Sequence, residues 1–136
     1  MRYQISMEYA ITIGFATIIL LPALIYFFSE LNDLQDSVIE AHGYKILNMI
    51  CDEAKKVYFL GNETKTRIKF NTNNKFKELL IQNDLLLLTI KFSYGTSFVS
   101  KYCDVNLTNK LIALSAGNHI LEIKNENYYV NLTLLE

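Results

Sequence analysis

Apolar positions divide the chain into three stretches with different periods. From Tyr9 to Phe28, twenty consecutive residues include no Asp, Glu, Lys or Arg. An α-helix rises about 1.5 Å per residue, so this run spans roughly 30 Å, the thickness of a bilayer's hydrocarbon core. A helix that is apolar all round has to lie in lipid or inside protein. From Leu31 onward, apolar residues recur mostly at intervals of three and four: Leu31, Leu34, Val38, Ala41, Ile46, Met49, Ile50, Ala54, Val57 and Tyr58. Glu30, Asp33, Asp36, Glu40, Asp52, Glu53, Lys55 and Lys56 fall between them as a wet face. That is the period of an amphipathic helix, and Gly61 after Leu60 is a good C-terminal stop. The pattern predicts one helix over residues 4–60, with a hydrophobic half (4–28) and an amphipathic half (29–60). Its length would be on the order of 80 Å. Pro22 removes a backbone donor and clashes one turn back, so a kink is expected there. His42-Gly43 is a weaker interruption.

Beyond Gly61 the period shortens to two. In TKTRIKF, Lys65, Arg67 and Lys69 alternate with Thr66, Ile68 and Phe70. NTNN reads as a turn. KFKELLIQ fits either a strand or a short helix. LLLLTIKF, Leu85 to Phe92, is too apolar for a strand with one wet face and is expected to be central and buried. SFVSKYCDV follows the turn SYGT, and KLIAL, HILEIK and YYVNLTLL come last, separated by SAGN and NEN. Six or seven short runs divided by Gly and Asn turns predict an antiparallel meander or small sandwich over 61–136. The expected class is α+β: a long N-terminal helix followed by a small antiparallel β head. The head's core would form against one face of the helix's second half.

Composition narrows the function. With a net charge of −1, nothing points to nucleic acid. Two His, two Cys, five Gly and one Pro are a poor inventory for metal or cofactor chemistry. His42 and His119 lack companions at ligand spacing and read as surface or packing residues. No Gly-rich phosphate loop, nucleophile elbow, CxxC or paired-carboxylate constellation is found, so neither enzyme nor cofactor is expected. Lys65, Arg67 and Lys69 read most simply as a solvated strand face.

The apolar run is expected to be retained rather than discarded as a secretory signal. It exceeds the usual apolar region of about 7–15 residues, and no small-x-small site follows Phe28. Arg2 is the basic residue before it and Lys45 the first after it, which points the N-terminus inward.

Glu8 stands at the mouth of this run, and a plain anchor has no use for it. RYQISMEY followed by the apolar helix resembles the N-terminus of archaeal type IV pilin-like proteins with a class III signal peptide. In that family a short basic leader is clipped just before a Gln, and the processed chain begins Gln-x-Ser-x-Glu. Gln4, Ser6 and Glu8 fall on that pattern, with Arg2 as the basic leader residue. Tyr3 departs from it, since family members mostly carry Gly before the cut. The resemblance covers about the first thirty residues and is only architectural for the head. It implies a leader of residues 1–3 cleaved between Tyr3 and Gln4, a membrane-held precursor, and assembly through the hydrophobic helices into an extracellular cell-surface filament that serves adhesion. It further implies a prepilin peptidase, a membrane platform protein and an assembly ATPase as partners. A bare carboxylate in a bundle of apolar helices costs several kcal/mol unless paired. The new amine at Gln4 of a neighbour is the natural partner for Glu8, and that pairing would set axial register. Glu8 is also expected in the first helical turn, where the dipole favours negative charge. A rival reading is a single-pass anchored surface domain that binds a ligand through its β head and never polymerises.

Cys51 and Cys103 form a disulfide if the head is outside the cell; otherwise they are two buried free thiols. The bond would close a loop of about fifty residues and contribute roughly 4 kcal/mol. Three sequons start at Asn62, Asn106 and Asn131, each an acceptor only where exposed outside the membrane. Asn62, just past the helix end, is expected to be the most exposed. The resemblance adds that archaeal surface filaments are often glycosylated.

Overall fold

The computed structural model describes the backbone of residues 2–135 and the side chains of residues 6–135. The side chains of Arg2, Tyr3 and Gln4, on which the leader cleavage turns, lie outside the described residues. Helix α1 (Arg2–Leu60) is followed by β1 (Lys65–Thr72), β2 (Phe76–Gln82), β3 (Leu85–Lys91), β4 (Thr96–Tyr102), β5 (Lys110–Ala113), β6 (Gly117–Asn125) and β7 (Val130–Leu135). The fold is α+β, one long apolar N-terminal helix and two small antiparallel sheets. α1 is unbroken through Pro22 and through His42-Gly43. Its contacts divide the chain into two compact units, Met1–Val38 and Ile39–Glu136.

In the first unit, side chains from Ser6 to Val38 are exposed around the whole helix, with Asp36 half-buried. The second unit contains the core. Its sheets run β1-β6-β7 and β4-β3-β2-β5, every neighbouring pair antiparallel. Alternation decides which residues turn inward. Ile68 opposite Leu121 and Ile123 opposite Leu132 are buried in the first sheet. Leu79 lies between Leu88 and Ile112 in the second, and Leu88 continues to Val99. The ambiguous KFKELLIQ is a strand, because Leu79 and Ile81 are buried while Leu80 points the other way. β3 is an inner strand with Leu86, Leu88, Thr89 and Ile90 buried.

Both sheets and α1 share one core. The helix contributes Ile46, Leu47, Ile50, Cys51, Ala54 and Val57. This stripe begins later and lies differently from the one the sequence suggests. Leu31, Leu34, Val38, Ala41 and Tyr58 are exposed, whereas Leu47 is fully buried. The apolar residues of 31–41 and of 43–57 therefore belong to different surfaces of one helix. Gly43 starts the buried stretch: a Cβ there would stand 3.2 Å from Ile90 Cδ1 and 3.3 Å from Leu88 Cδ2. The missing side chain lets the helix pack tightly on the β3 side chains there.

The strand order also departs from a simple meander. β5 pairs with β2 and not with β4. The intervening segment is pinned across the β2–β3 turn, where Cys103 N donates to Asp84 O, Leu107 N to Asn83 O, and Asn83 N to Asn109 Oδ1. These bonds carry the chain to the far edge of the sheet.

Candidate functional site

The span from Tyr9 to Phe28 meets the physical needs of a helix in hydrocarbon. It is long and apolar enough to cross a membrane, and none of it is buried in the chain's own fold. Its two threonine hydroxyls are satisfied within the helix: Thr12 Oγ1 donates to Glu8 O at 2.8 Å and Thr17 Oγ1 to Ile13 O at 2.8 Å. Ser29 Oγ, just beyond, donates to Tyr26 O at 2.7 Å. Such back-bonding removes the cost of a bare hydroxyl in lipid. Tyr9 and Tyr26 sit near its two ends, roughly 25 Å apart along a helix axis, and Tyr suits the headgroup level at both interfaces. The span is compatible with membrane anchoring.

Glu8 is exposed. Because α1 begins at Arg2, Glu8 falls in the second turn, and the first turn holds no acid. The dipole argument for Glu8 therefore does not apply to the unprocessed chain. Thr12 Oγ1 bonds the Glu8 backbone carbonyl.

At the other end, α1 is fastened to the head by a residue that sequence reading missed. Gly61 takes φ 101°, a left-handed conformation that glycine adopts without steric cost. Three carbonyls at the helix end are gathered by Asn125, from the end of β6. Its Nδ2 donates to Gly61 O at 3.0 Å, Tyr58 O at 3.2 Å and Val57 O at 3.4 Å. Its backbone N donates to Thr64 O and its carbonyl accepts from Glu63 N. Asn125 is buried, and among the described residues its Oδ1 accepts no hydrogen bond. The nearest sequence signal was its place in the turn NEN, which says nothing of a helix end more than sixty residues earlier.

Cys51 and Cys103 are disulfide-bonded, with Cα atoms 5.3 Å apart. Beside the bond, Lys55 pairs with Asp104 and holds that exposed carboxyl below its ordinary range, first through the hydrogen bond and then through its charge. α1 is thus tied to the β4–β5 segment by a covalent bond and an ion pair.

The sequons occupy unlike settings. Asn62 is exposed in the turn after α1, its Oδ1 accepting from Glu63 N. Asn106 is exposed, but the Thr108 hydroxyl of its triplet donates to Val130 O. Asn131 is half-buried within β7, its amide directed to Glu126 Oε1. Lys65, Arg67 and Lys69 line the exposed side of β1, and Arg67 Nε bonds Glu122 Oε2 at 2.9 Å. His42 engages Asn71 O at 2.9 Å and His119 engages Ser115 O at 2.8 Å. His119 lines a shallow hollow of about 430 Å³ with Ser115 and Asn118. Among the described residues, no group of three or more His, Cys, Asp or Glu is placed to hold a metal ion.

The chain is, in class, an α+β protein whose apolar N-terminal helix continues into the core of a disulfide-tied β head. No family model, no curated protein and no solved structure matches it.

Proposed function

We propose that the chain is a structural subunit, a pilin or minor pilin, of an archaeal type IV pilus-like filament, with a non-enzymatic role in surface adhesion. The observation that carries this reading is a continuous helix that includes Gln4-x-Ser6-x-Glu8 near its beginning, runs through an uncharged span, and continues into the head. A simple anchor needs neither the carboxylate nor an unbroken helix into its soluble part. In the proposed cycle, the span holds the precursor in the cytoplasmic membrane. After removal of residues 1–3 it leaves lipid for a bundle of identical helices. One apolar environment replaces another, so packing and the Glu8 contact govern the exchange. Glu8 pairs with the Gln4 amine of a neighbour and sets register. Prepilin peptidase, platform protein and assembly ATPase are transient partners, and the exposed sequons are candidate glycan acceptors on the filament surface.

Mass analysis of the mature protein tests the cycle, with electron microscopy of material sheared from cells. Loss of residues 1–3 and presence of the subunit in filaments are expected. A full-length species found only in the membrane would instead favour the anchored surface domain. Glu8→Ala is expected to insert in the membrane normally while filament yield falls about tenfold or more, as for an interaction of at least ~1.4 kcal/mol per contact. Equal assembly of variant and wild type would remove the register role.

A further inference from the structure

Three connecting segments of the head meet beside the start of β7 and enclose a shallow hollow of about 300 Å³. That is the small end of the range of about 300–1,000 Å³ for ligand sites. Asn83 comes from the β2–β3 turn, Asn106, Thr108 and Asn109 from the segment before β5, and Tyr128 and Tyr129 from the β6–β7 turn. Backbone bonds fix these segments to one another. Leu107 N donates to Asn83 O at 2.6 Å, Thr108 N to Val130 O at 3.0 Å and Val130 N to Asn106 O at 2.8 Å. Asn83 N donates to Asn109 Oδ1 at 2.6 Å. The backbone of the hollow is therefore preformed, which lowers the ordering cost of binding.

The lining is polar and aromatic, and none of its residues carries a charge. Glu126, in the same turn as the tyrosines, faces Lys124 at 3.7 Å and the Asn131 amide. Among the described residues, the side-chain amides of Asn83 and Asn106 make no hydrogen bond, and Asn109 uses only its Oδ1. Each amide combines donors with an acceptor. Tyr128 is 84% exposed. Asn127 takes φ 66°, a left-handed conformation that Asn tolerates, and Glu126 N closes the turn on Tyr129 O at 2.9 Å. The turn thus holds Tyr128 out in solvent.

An ion finds no counter-charge in this lining. A purely apolar ligand would strip water from amides without replacing their hydrogen bonds. A sugar ring meets both parts of the lining: its C–H face packs on an aromatic face, and its hydroxyls give and take hydrogen bonds around the rim. We propose that the hollow binds a neutral sugar ring, stacked on Tyr128 and held at its hydroxyls by Asn83, Asn106 and Asn109. The proposal rests on the reading of the chain as an adhesive surface subunit, and names what the head takes hold of. Asn106 also opens a sequon, so two sources supply such a ring: a saccharide from outside, or a glycan on Asn106 itself.

Saturation-transfer NMR tests it on full-length, unglycosylated protein in phosphocholine-detergent micelles, which carry no sugar. The probes are glucose, galactose, mannose and N-acetylglucosamine, with their disaccharides. Transfer from protein to the ring C–H protons of at least one probe is expected. Tyr128→Ala should weaken that binding about tenfold and Tyr128→Phe by less than about threefold, because the ring and not the hydroxyl makes the contact. Asn83→Gly, which accommodates the φ of 53° at that position, removes one amide and should weaken binding roughly threefold to tenfold. Transfer to none of the probes, or equal binding by Tyr128→Ala, would overturn the proposal. Peptide mapping of the native protein separates the sources. A bare Asn106 assigns the hollow to a saccharide from outside. A glycan on Asn106 in nuclear Overhauser contact with Tyr128 assigns it to the chain's own sugar, and a glycan held away from Tyr128 overturns the proposal. Filaments built from a chain that binds none of the probes would strike the sugar site and leave the assembly reading intact. Sugar binding by a chain that never enters filaments would uphold the site and remove the filament reading.

Discussion

Two residues show how much a single position can carry. In the sequence, Gly43 reads as a weakness in a long helix, since glycine costs about 1 kcal/mol relative to Ala in a helix interior. In the fold it lets α1 approach Ile90 and Leu88 of β3. Asn125 joins three carbonyls at the end of α1 to the end of β6. Asn125→Asp would replace the donor with a buried carboxylate facing those carbonyls at the negative end of the helix dipole. A loss of about 3 kcal/mol near neutral pH is expected. The sign with pH follows from linkage. Burial raises the new carboxyl's folded pKa, so the native state holds its proton longer than the unfolded chain. The penalty is absent below the unfolded value of about 4 and grows as pH rises through it. Thermal melts of the variant across pH 3 to 7, against wild type, measure this.

At the scale of elements, α1 is one helix with three surroundings. Its first part is exposed on every side, residues 31–38 carry an exposed apolar stripe, and one side of residues 43–57 is buried against the sheets. Propensity and period predict the helix but not these differences, because an interval of three or four places residues on a line without saying what the line faces. Leu47→Ala, at a fully buried site, is expected to destabilise the head by about 2–5 kcal/mol. Leu34→Ala is expected to change head stability by less than about 0.5 kcal/mol. Denaturant melts followed by a signal from the sheets compare the two. The strands were more legible. β1 alternates Lys65, Arg67 and Lys69 outward against Ile68 and Phe70 inward as its sequence suggests, because a period of two needs no distant partner to be read.

For the whole molecule, the covalent link is the clearest lever. The Cys51–Cys103 bond joins residues 52 positions apart, from α1 and from the segment that leads to β5. Replacing both cysteines by Ser should cost about 4 kcal/mol on the chain-entropy model. The measurement is a lower thermal midpoint of the head, with reduction of the wild-type bond giving a similar shift. The same segment decides that β5 lies beside β2. The filament reading leans on the motif and apolar span at the N-terminus; the proposed sugar site leans on the head. Glu8 was conspicuous as the single charge at the mouth of that span. An apolar outer sheet face was concealed in LLLLTIKF, whose leucines look uniformly internal until pairing splits them between two faces. The hollow was concealed too, since its asparagines and tyrosines come from three separate segments.

Chain order alone was enough for the long helix, its stop at Gly61, the short strands and the uncharged span, since each follows from neighbours within one or two turns. Residues far apart had to meet before the side of α1 that is buried, the cap from Asn125, the route to β5, the apolar outer sheet face and the hollow of Asn and Tyr side chains came into being. Those features are properties of contacts between distant segments, and hydrophobic period is blind to which distant segment arrives.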